Sequence, residues 1–275
     1  MFILNCKGKL LVSENALVMG IINATPDSFY EASRFINDKE ILQQVEKMLK
    51  DGADILDIGG QSTRPKSKQI GEEEELKRVV HVIEFVHKNF PEAIISVDTY
   101  HAKVAKESVD AGASIINDIS GGNADDEMIN TVGKLNVPYI CMHIKADVET
   151  MHKNHSYENV IKELLDFFIN KITECKNAGI NDVIIDPGFG FSKMVAQNFE
   201  ILKNLAVFKM LEKPVLIGVS RKSTIYKTLG VTADEALNGT TVLNTIALIN
   251  GANILRVHDV KEAKEAVRLF TEYAK

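Results

Sequence analysis

Nearly every apolar run in this chain closes on a residue that a strand interior does not tolerate: Asn23, Asp57, Asp98, Asn117, His143, Asp186, Arg221 with Lys222, and Arg256 with His258. A carboxylate removed from water needs hydrogen-bond or charge partners. Asp98, Asn117 and Asp186 therefore read as acceptors facing one cavity. Such a set suits a flat heterocycle with adjacent N–H donors, because a carboxylate accepts two parallel hydrogen bonds from an amidine-like edge. Two plainer roles stay open: Asp98 as a cap for the next helix, and Asp186, ahead of Pro187, as a turn former. Arg64, Lys222, Arg256 and His258 add cations from three separate loops to a chain of net charge −6, which points to an anionic substrate. Asn23 offers a neutral oxygen where Mg2+ would bridge protein and phosphate, since that ion takes few protein ligands. Ser223 is expected to cap the helix after Ser220-Arg221-Lys222, leaving backbone N–H groups for a small carboxylate.

The elements that must position these residues are eight Val-, Ile- and Leu-rich strands, at 17–22, 55–58, 94–97, 114–117, 138–142, 183–185, 215–219 and 254–257. Amphipathic helices are predicted between them, near 39–51, 72–89, 101–111, 124–135, 157–178, 197–210, 222–228 and 233–250, with a last one from 260. This alternation predicts an α/β fold, a closed (β/α)8 TIM barrel whose chemistry lies at the C-terminal ends of the strands. Residues 1–12 alternate weakly and are expected to form a short strand pair closing the bottom of the barrel. The whole chain, 1–275, reads as one domain. The loops after the first, second and fifth strands, at 23–38, 59–71 and 144–156, are longer than ordinary strand–helix connections, a mark of functional loops. Glu72 to Glu75 read as acids favouring the dipole of a first helical turn.

Composition excludes several classes. The net acidic charge gives no basic face for nucleic acid. No apolar run is long enough to span a bilayer, and 1–11 carries Asn5, Lys7 and Lys9 where an anchor or signal peptide would be apolar. Cys6, Cys141 and Cys175 are odd in number and widely spaced, so neither a disulfide framework nor a thiolate zinc site is expected, and a reducing cytoplasm is. No Gly-x-Gly-x-x-Gly follows the first strand, and neither His-Glu-x-x-His nor Gly-x-Ser-x-Gly occurs.

Seven stretches in order, Met19-Gly20-Ile21-Ile22-Asn23-Ala24-Thr25-Pro26-Asp27-Ser28-Phe29, Asp57-Ile58-Gly59-Gly60-Gln61-Ser62-Thr63-Arg64-Pro65, Ser96-Val97-Asp98-Thr99, Ile116-Asn117-Asp118, Asp186-Pro187-Gly188-Phe189-Gly190-Phe191, Ser220-Arg221-Lys222-Ser223 and Arg256-Val257-His258-Asp259, resemble the dihydropteroate synthases of folate biosynthesis. The resemblance implies a transferase that joins dihydropterin pyrophosphate to para-aminobenzoate and releases pyrophosphate. It implies that Asp98, Asn117 and Asp186 bind the pterin edge, that Lys222 reaches the pterin carbonyl and ring nitrogen, and that Arg256 lies against the pterin face. Lys222, Asp98 and Arg256 would carry the catalysis. Asn23, Arg64, Arg256 and His258 would hold pyrophosphate with Mg2+, while Thr63, Phe191 and Ser223 would shape the aminobenzoate site; Met142, ending the fifth strand, belongs with the substrate-binding residues. The resemblance further implies a homodimer and a dissociative reaction. The chain departs from the family where Tyr30-Glu31-Ala32-Ser33 replaces Ser-Asp-Gly-Gly, which makes Glu31 the expected acidic Mg2+ ligand. It departs again at Gln61, where Glu is common. Asp57 and His143 find no role in this scheme beyond a structural or supporting one.

Rival functions differ in what they need. A pterin-dependent methyltransferase would share the carboxylates without needing Arg64, Arg256 and His258 for pyrophosphate. A Schiff-base aldolase would place Lys222 inside an apolar strand rather than beside Arg221. A catalytically silent pterin-binding paralogue would bind pterin pyrophosphate and release no pyrophosphate when aminobenzoate is added.

Overall fold

A computed structural model describes residues 1–24, 31–61, 70–145, 147–150, 153 and 155–275, with the side chains of 31–37 and 149 left aside. The chain opens with an antiparallel hairpin, β1 (Phe2–Cys6) and β2 (Lys9–Ser13), paired from Phe2↔Ser13 to Cys6↔Lys9. Its two-residue turn, Lys7-Gly8, has positive φ at both positions (54° and 90°), the geometry whose twist matches paired strands. The strands and helices that follow are β3 (Leu17–Asn23), α1 (Glu31–Asp51), β4 (Ile55–Gly59), α2 (Glu72–Asn89), β5 (Ile95–Asp98), α3 (Ala102–Ala111), β6 (Ile115–Asp118) and α4 (Met128–Leu135). Then come β7 (Tyr139–Met142), α5 (Val160–Asn177), β8 (Val183–Asp186), α6 (Val195–Lys203), β9 (Leu216–Ile217), α7 (Ser223–Leu229), α8 (Leu237–Ile249), β10 (Ile254–Val257) and α9 (Val260–Tyr273).

The strands from β3 to β10 form one parallel sheet of eight, in the order β8-β7-β6-β5-β4-β3-β10-β9. A parallel bridge between Ile185 and Val215 joins its two edges and closes the barrel. Strand alternation divides the side chains into two sets. Val18, Leu56, Val97, Ile116, Cys141, Ile185, Ile217 and Leu255 point outward into the layer shared with the helices. Leu17, Met19, Ile55, Ile115, Ile140, Ile184, Leu216 and Ile254 form a separate interior cluster that the hairpin caps with Leu4 and Cys6. Asp182 fixes that cap by accepting from Asn5 N at 2.7 Å, and Lys7 Nζ donates to the Val109 carbonyl at 2.6 Å. Among the described residues no helix is long and apolar enough to cross a membrane.

Several elements differ from their expected ranges: α4 begins at Met128 rather than near 124, α8 begins at Leu237 rather than near 233, and the helix expected near 197–210 ends as α6 at Lys203, with Leu205–Leu211 in a tighter 3-10 helix. Helix α1 starts at Glu31 rather than near 39, because Glu31-Ala32-Ser33 lacks the glycines that would weaken a helix there. The predicted strand at 215–219 is regular only over Leu216–Ile217, with Val215 adding the single bridge to Ile185; beyond it the backbone turns so that Lys222 N donates to the Val219 carbonyl at 3.1 Å.

Candidate active site

On six strands, two residues after a member of the apolar interior cluster, the same face of the strand meets the open end of the barrel. Ile55 is followed by Asp57, Ile115 by Asn117, Ile140 by Met142, Ile184 by Asp186, Leu216 by Gly218 and Ile254 by Arg256. Parity also separates neighbours: Asn117 turns inward, whereas Asp118 is held in a structural cage by Ser120 N, Ser120 Oγ, Gly122 N and Tyr139 Oη, each at 2.7 Å.

Arg256 organises the acceptor side. Its Nε donates to Asp57 Oδ2 at 2.6 Å and its Nη2 to Asp98 Oδ2 at 2.6 Å. Asn117 Nδ2 donates to the same Asp57 oxygen at 3.1 Å, so one carboxylate fixes both Arg256 and the amide of Asn117. Burial works against the guanidinium charge, but Asp57 and Asp98 hold its pKa above the ordinary value. Asp98 is pushed up to about 7, by burial first and by the nearby Asp57 charge, with Arg256 opposing. Asp186 is also raised by burial, against the pull of Lys222. Its Oδ1 accepts from Gly188 N at 2.8 Å, so the turn-forming role coexists with a place at the mouth.

Lys222 enters from the other side. Its Nζ donates to the Phe189 carbonyl at 2.5 Å and sits 4.2 Å from the centre of the Phe191 ring. Burial lowers its pKa to about 8, and Asp186 resists that shift. The turn that aims it is unusual: Arg221 has a φ of 54°, a conformation that costs a non-glycine residue. A two-point ion pair from Arg221 Nε and Nη2 to Asp259, both at 2.9 Å, and the Arg221 N bond to Thr240 Oγ1 at 3.0 Å hold it there. Arg221 is thus clamped to the scaffold while its neighbour points inward. Gly190, at φ 78°, lies where a Cβ would come within 3.0 Å of the Lys222 side chain.

Phe191 and Met142 pack with Tyr100, Ile119, Ile144 and Val148 into an apolar wall above the strand ends. His258 Nδ1 lies 3.0 Å from Ser220 Oγ, which also accepts from His258 N at 3.2 Å. Asn23, the exposed last residue of β3, sits beside Gly59 at the rim. Ser223 is the first residue of α7, and Lys222 occupies the cap position without a side-chain capping bond; the expectation that Ser223 caps the helix is corrected, because the chain enters helical geometry one residue early. Thr63 and Arg64 lie outside the described residues, as does the Glu31 side chain. Asp98, Asn117, Asp186, Lys222, Arg256, Phe191 and Met142 are brought to one end of the barrel.

Of three supporting residues, the sequence marks Asp57 with a structural or supporting role and does not show the parts played by Phe189 and Glu75. Asp57, buried, is the anchor of Arg256; its signal was a charge at an inward position of an apolar strand. Phe189 contributes only its carbonyl, which no side-chain pattern reveals. Glu75 was read with its neighbours as a dipole-facing acid, yet it is 1% exposed and pushed up to about 7 by burial. It lies behind Gly60, whose Cβ position is 3.1 Å from Glu75 Cγ. Among the described residues, Glu72, His101 and Asp125 have potential ligand atoms within 4.8 Å of one another. Asp125 already has a structural task there, since its Oδ2 accepts from Ala102 N at 2.8 Å and so caps α3.

Comparison with known proteins agrees with this architecture. The pterin binding enzyme family matches residues 19–258. The chain is similar to a dihydropteroate synthase of Haemophilus influenzae, 42% identical over 255 residues that cover 92% of each protein. It superposes on a dihydropteroate synthase of Xanthomonas albilineans solved with 4-aminobenzoic acid, with a TM-score of 0.90 and 34% identity, covering 99% of this chain and 98% of that one. A structure of the enzyme from the same organism in complex with 7,8-dihydropteroate matches with a TM-score of 0.86 and 31% identity over 99% and 98% of the two chains. The family match runs from the first barrel strand to His258 and so takes in the mouth assembled above: the chain belongs to the pterin-binding enzymes, and within them to the dihydropteroate synthases.

Proposed function

We infer that the barrel mouth condenses 6-hydroxymethyl-7,8-dihydropterin pyrophosphate with para-aminobenzoate to give 7,8-dihydropteroate and pyrophosphate. The observation that carries this reading is the acceptor set Asp98, Asn117 and Asp186 gathered at one barrel end with Lys222 and Arg256. Asp98 and Asp186 offer carboxylates to the adjacent N–H groups of the pterin, Asn117 offers an amide, and Lys222 donates to the pterin carbonyl and ring nitrogen. Arg256, held flat by Asp57 and Asp98, lies against the ring.

The charge balance favours a dissociative course. Three carboxylates, Asp57, Asp98 and Asp186, line the inner mouth beside Arg256 and Lys222, with Lys193 set behind the 188–191 turn, so the surface offered to the pterin suits a developing positive charge. The methylene C–O bond breaks with its electron pair leaving on pyrophosphate. The aniline nitrogen then attacks the methylene carbon and loses a proton. Since a neutral aniline is the nucleophile, no strong base is required. Asn23, Arg64 and His258, with Arg256 at the inner edge, receive the pyrophosphate; Thr63, Phe191, Met142 and Ser223 border the aminobenzoate.

Asn23 and Glu31 are the residues proposed to hold Mg2+. The donor set fits: a neutral amide oxygen exposed at the rim and an acid opening the next helix match an ion that takes one or two protein oxygens and completes its shell with water and phosphate. Bound there, Mg2+ would neutralise leaving-group charge. We further propose a homodimer, supported by the exposed apolar row Val242, Ile246 and Ile249 on one side of α8, and a cytoplasmic location, supported by three buried free thiols.

The test is to mix protein, Mg2+, dihydropterin pyrophosphate and para-aminobenzoate and to measure dihydropteroate and pyrophosphate together. Equal amounts of both are expected. Binding of the pterin pyrophosphate without pyrophosphate release on adding aminobenzoate would identify a silent paralogue and sink the enzyme reading.

A further inference from the structure

Behind the wall that holds Lys222 lies a second lysine with no place in the scheme above. Lys193 is 5% exposed, and its Nζ lies 3.1 Å from the Gly188 carbonyl, 3.1 Å from the Phe191 carbonyl, 3.3 Å from the His143 carbonyl and 3.2 Å from His143 Nδ1. The segment it closes is one that would not hold its shape alone. Gly188, Gly190 and Ser192 all have positive φ (71°, 78° and 55°), and a Cβ on Gly188 would fall 2.1 Å from the His143 carbonyl. Carbonyls crowded this closely repel one another unless a donor sits between them. An ammonium has three N–H donors and no acceptor, which matches the three carbonyls.

We propose that Lys193 is a positioning residue for aminobenzoate. Its buried ammonium fixes the 188–191 turn through the Gly188 and Phe191 carbonyls, and with the turn the Phe191 ring that borders the aminobenzoate. This rests on the functional reading, in which Phe191 borders the aminobenzoate and Lys222 the pterin. A structural lysine would be a poor solution here, because an apolar side chain of similar length would fill the space without the cost of burying a charge. What the apolar side chain would not do is tie β7 and the turn after β8 through their carbonyls. Asn198 supports the far side of the same turn, accepting from Gly190 N at 2.8 Å, so only the inner side depends on Lys193.

The groups that face Lys193 give the proposal a pH signature. His143 follows β7, Asp186 ends β8 and Lys222 precedes α7. Burial keeps His143 well below its ordinary pKa, with the Lys193 charge adding to the shift. Burial also pulls Lys193 down to about 7, with Asp186 opposing and Lys222 assisting. The ammonium is therefore present at low pH and lost as pH rises through this range, and aminobenzoate binding should weaken with it.

The experiment compares the full-length wild type with Lys193→Met and Lys193→Arg, measuring KM for each substrate from pH 6 to pH 9. Lys193→Met is expected to raise KM for aminobenzoate by about tenfold, as for one charge-assisted hydrogen bond, to change KM for the pterin pyrophosphate less than about threefold, and to lose the alkaline rise in aminobenzoate KM. Lys193→Arg, which stays charged, is expected to move that rise to higher pH. A lower unfolding midpoint with both KM values and the pH profile of the wild type would overturn the proposal in favour of a purely structural lysine. If Lys193→Met does not fold, an alkaline rise left in place by Lys193→Arg overturns it equally. A wild type without turnover overturns both readings, whereas normal wild-type turnover beside an unaltered variant overturns this one alone.

Discussion

On β8, Ile184 packs into the lower, hairpin-capped end of the barrel while Asp186, two residues on, faces the mouth. The same step separates Ile55 from Asp57 on β4, Ile115 from Asn117 on β6 and Ile254 from Arg256 on β10. Backbone geometry is shared, so the difference lies in side chains alone. The lower layer is apolar and joins Leu4 and Cys6 of the hairpin in one cluster, where each methyl removed from water adds stability. The upper layer buries charges that work against stability: burial raises both Asp98 and Asp186 and lowers Lys222. One end of the barrel is arranged for packing and the other for a charged ligand at some expense in stability.

The contrast can be broken from either end. Lys222→Ala should lower kcat/KM by about 100- to 1000-fold, as for loss of a buried charged donor, while thermal unfolding shows little loss of stability. In the lower layer, Ile140→Ala should cost about 2–5 kcal/mol in denaturant unfolding, yet leave kcat/KM per folded molecule within about twofold. Asp57→Asn keeps shape but removes the charge that anchors Arg256, so steady-state assays should show a loss of about tenfold. The smallest effect concerns an acid near the mouth but outside the barrel wall. Glu75, raised from 4.5 to about 7 by burial, is favoured in its protonated form by folding. Its contribution to stability is therefore full below pH 4.5 and lost as pH rises through about 7. Glu75→Gln should remove that decline, making the variant more stable than the wild type at pH 8 by on the order of 1 kcal/mol, with unchanged KM values; a parallel decline in both proteins would show that Glu75 does not titrate there.

Much of the upper layer was legible because its signal is local. A polar residue that closes an apolar strand can be read without a partner, and that rule alone marked Asp98, Asn117, Asp186, Lys222 and Arg256. Strand β10, Ile254–Val257, matches its predicted range because Asn253 and His258 bracket it. What could not be read is pairing across the chain. Asp57 and Arg256 are 199 residues apart in sequence, and Lys193 and His143 are 50 apart; neither contact follows from periodicity. Backbone donors and acceptors, such as the Phe189 carbonyl, carry no side-chain signature at all. The positive φ of Arg221 was hidden for a related reason: its clamp, Asp259, lies 38 residues downstream.

Strand β8 offers the most direct test, since the two ends of the barrel are represented there by residues two positions apart. Ile184→Ala and Asp186→Asn would be assayed side by side for dihydropteroate formation per folded molecule, with fold verified by unfolding of each. Asp186→Asn is expected to remain as stable as the wild type and to lose most of its turnover. Ile184→Ala is expected to lose about 2–5 kcal/mol of stability and to turn over nearly normally. Near-normal turnover in Asp186→Asn, with the fold intact, would contradict the assignment of the mouth as the site of chemistry.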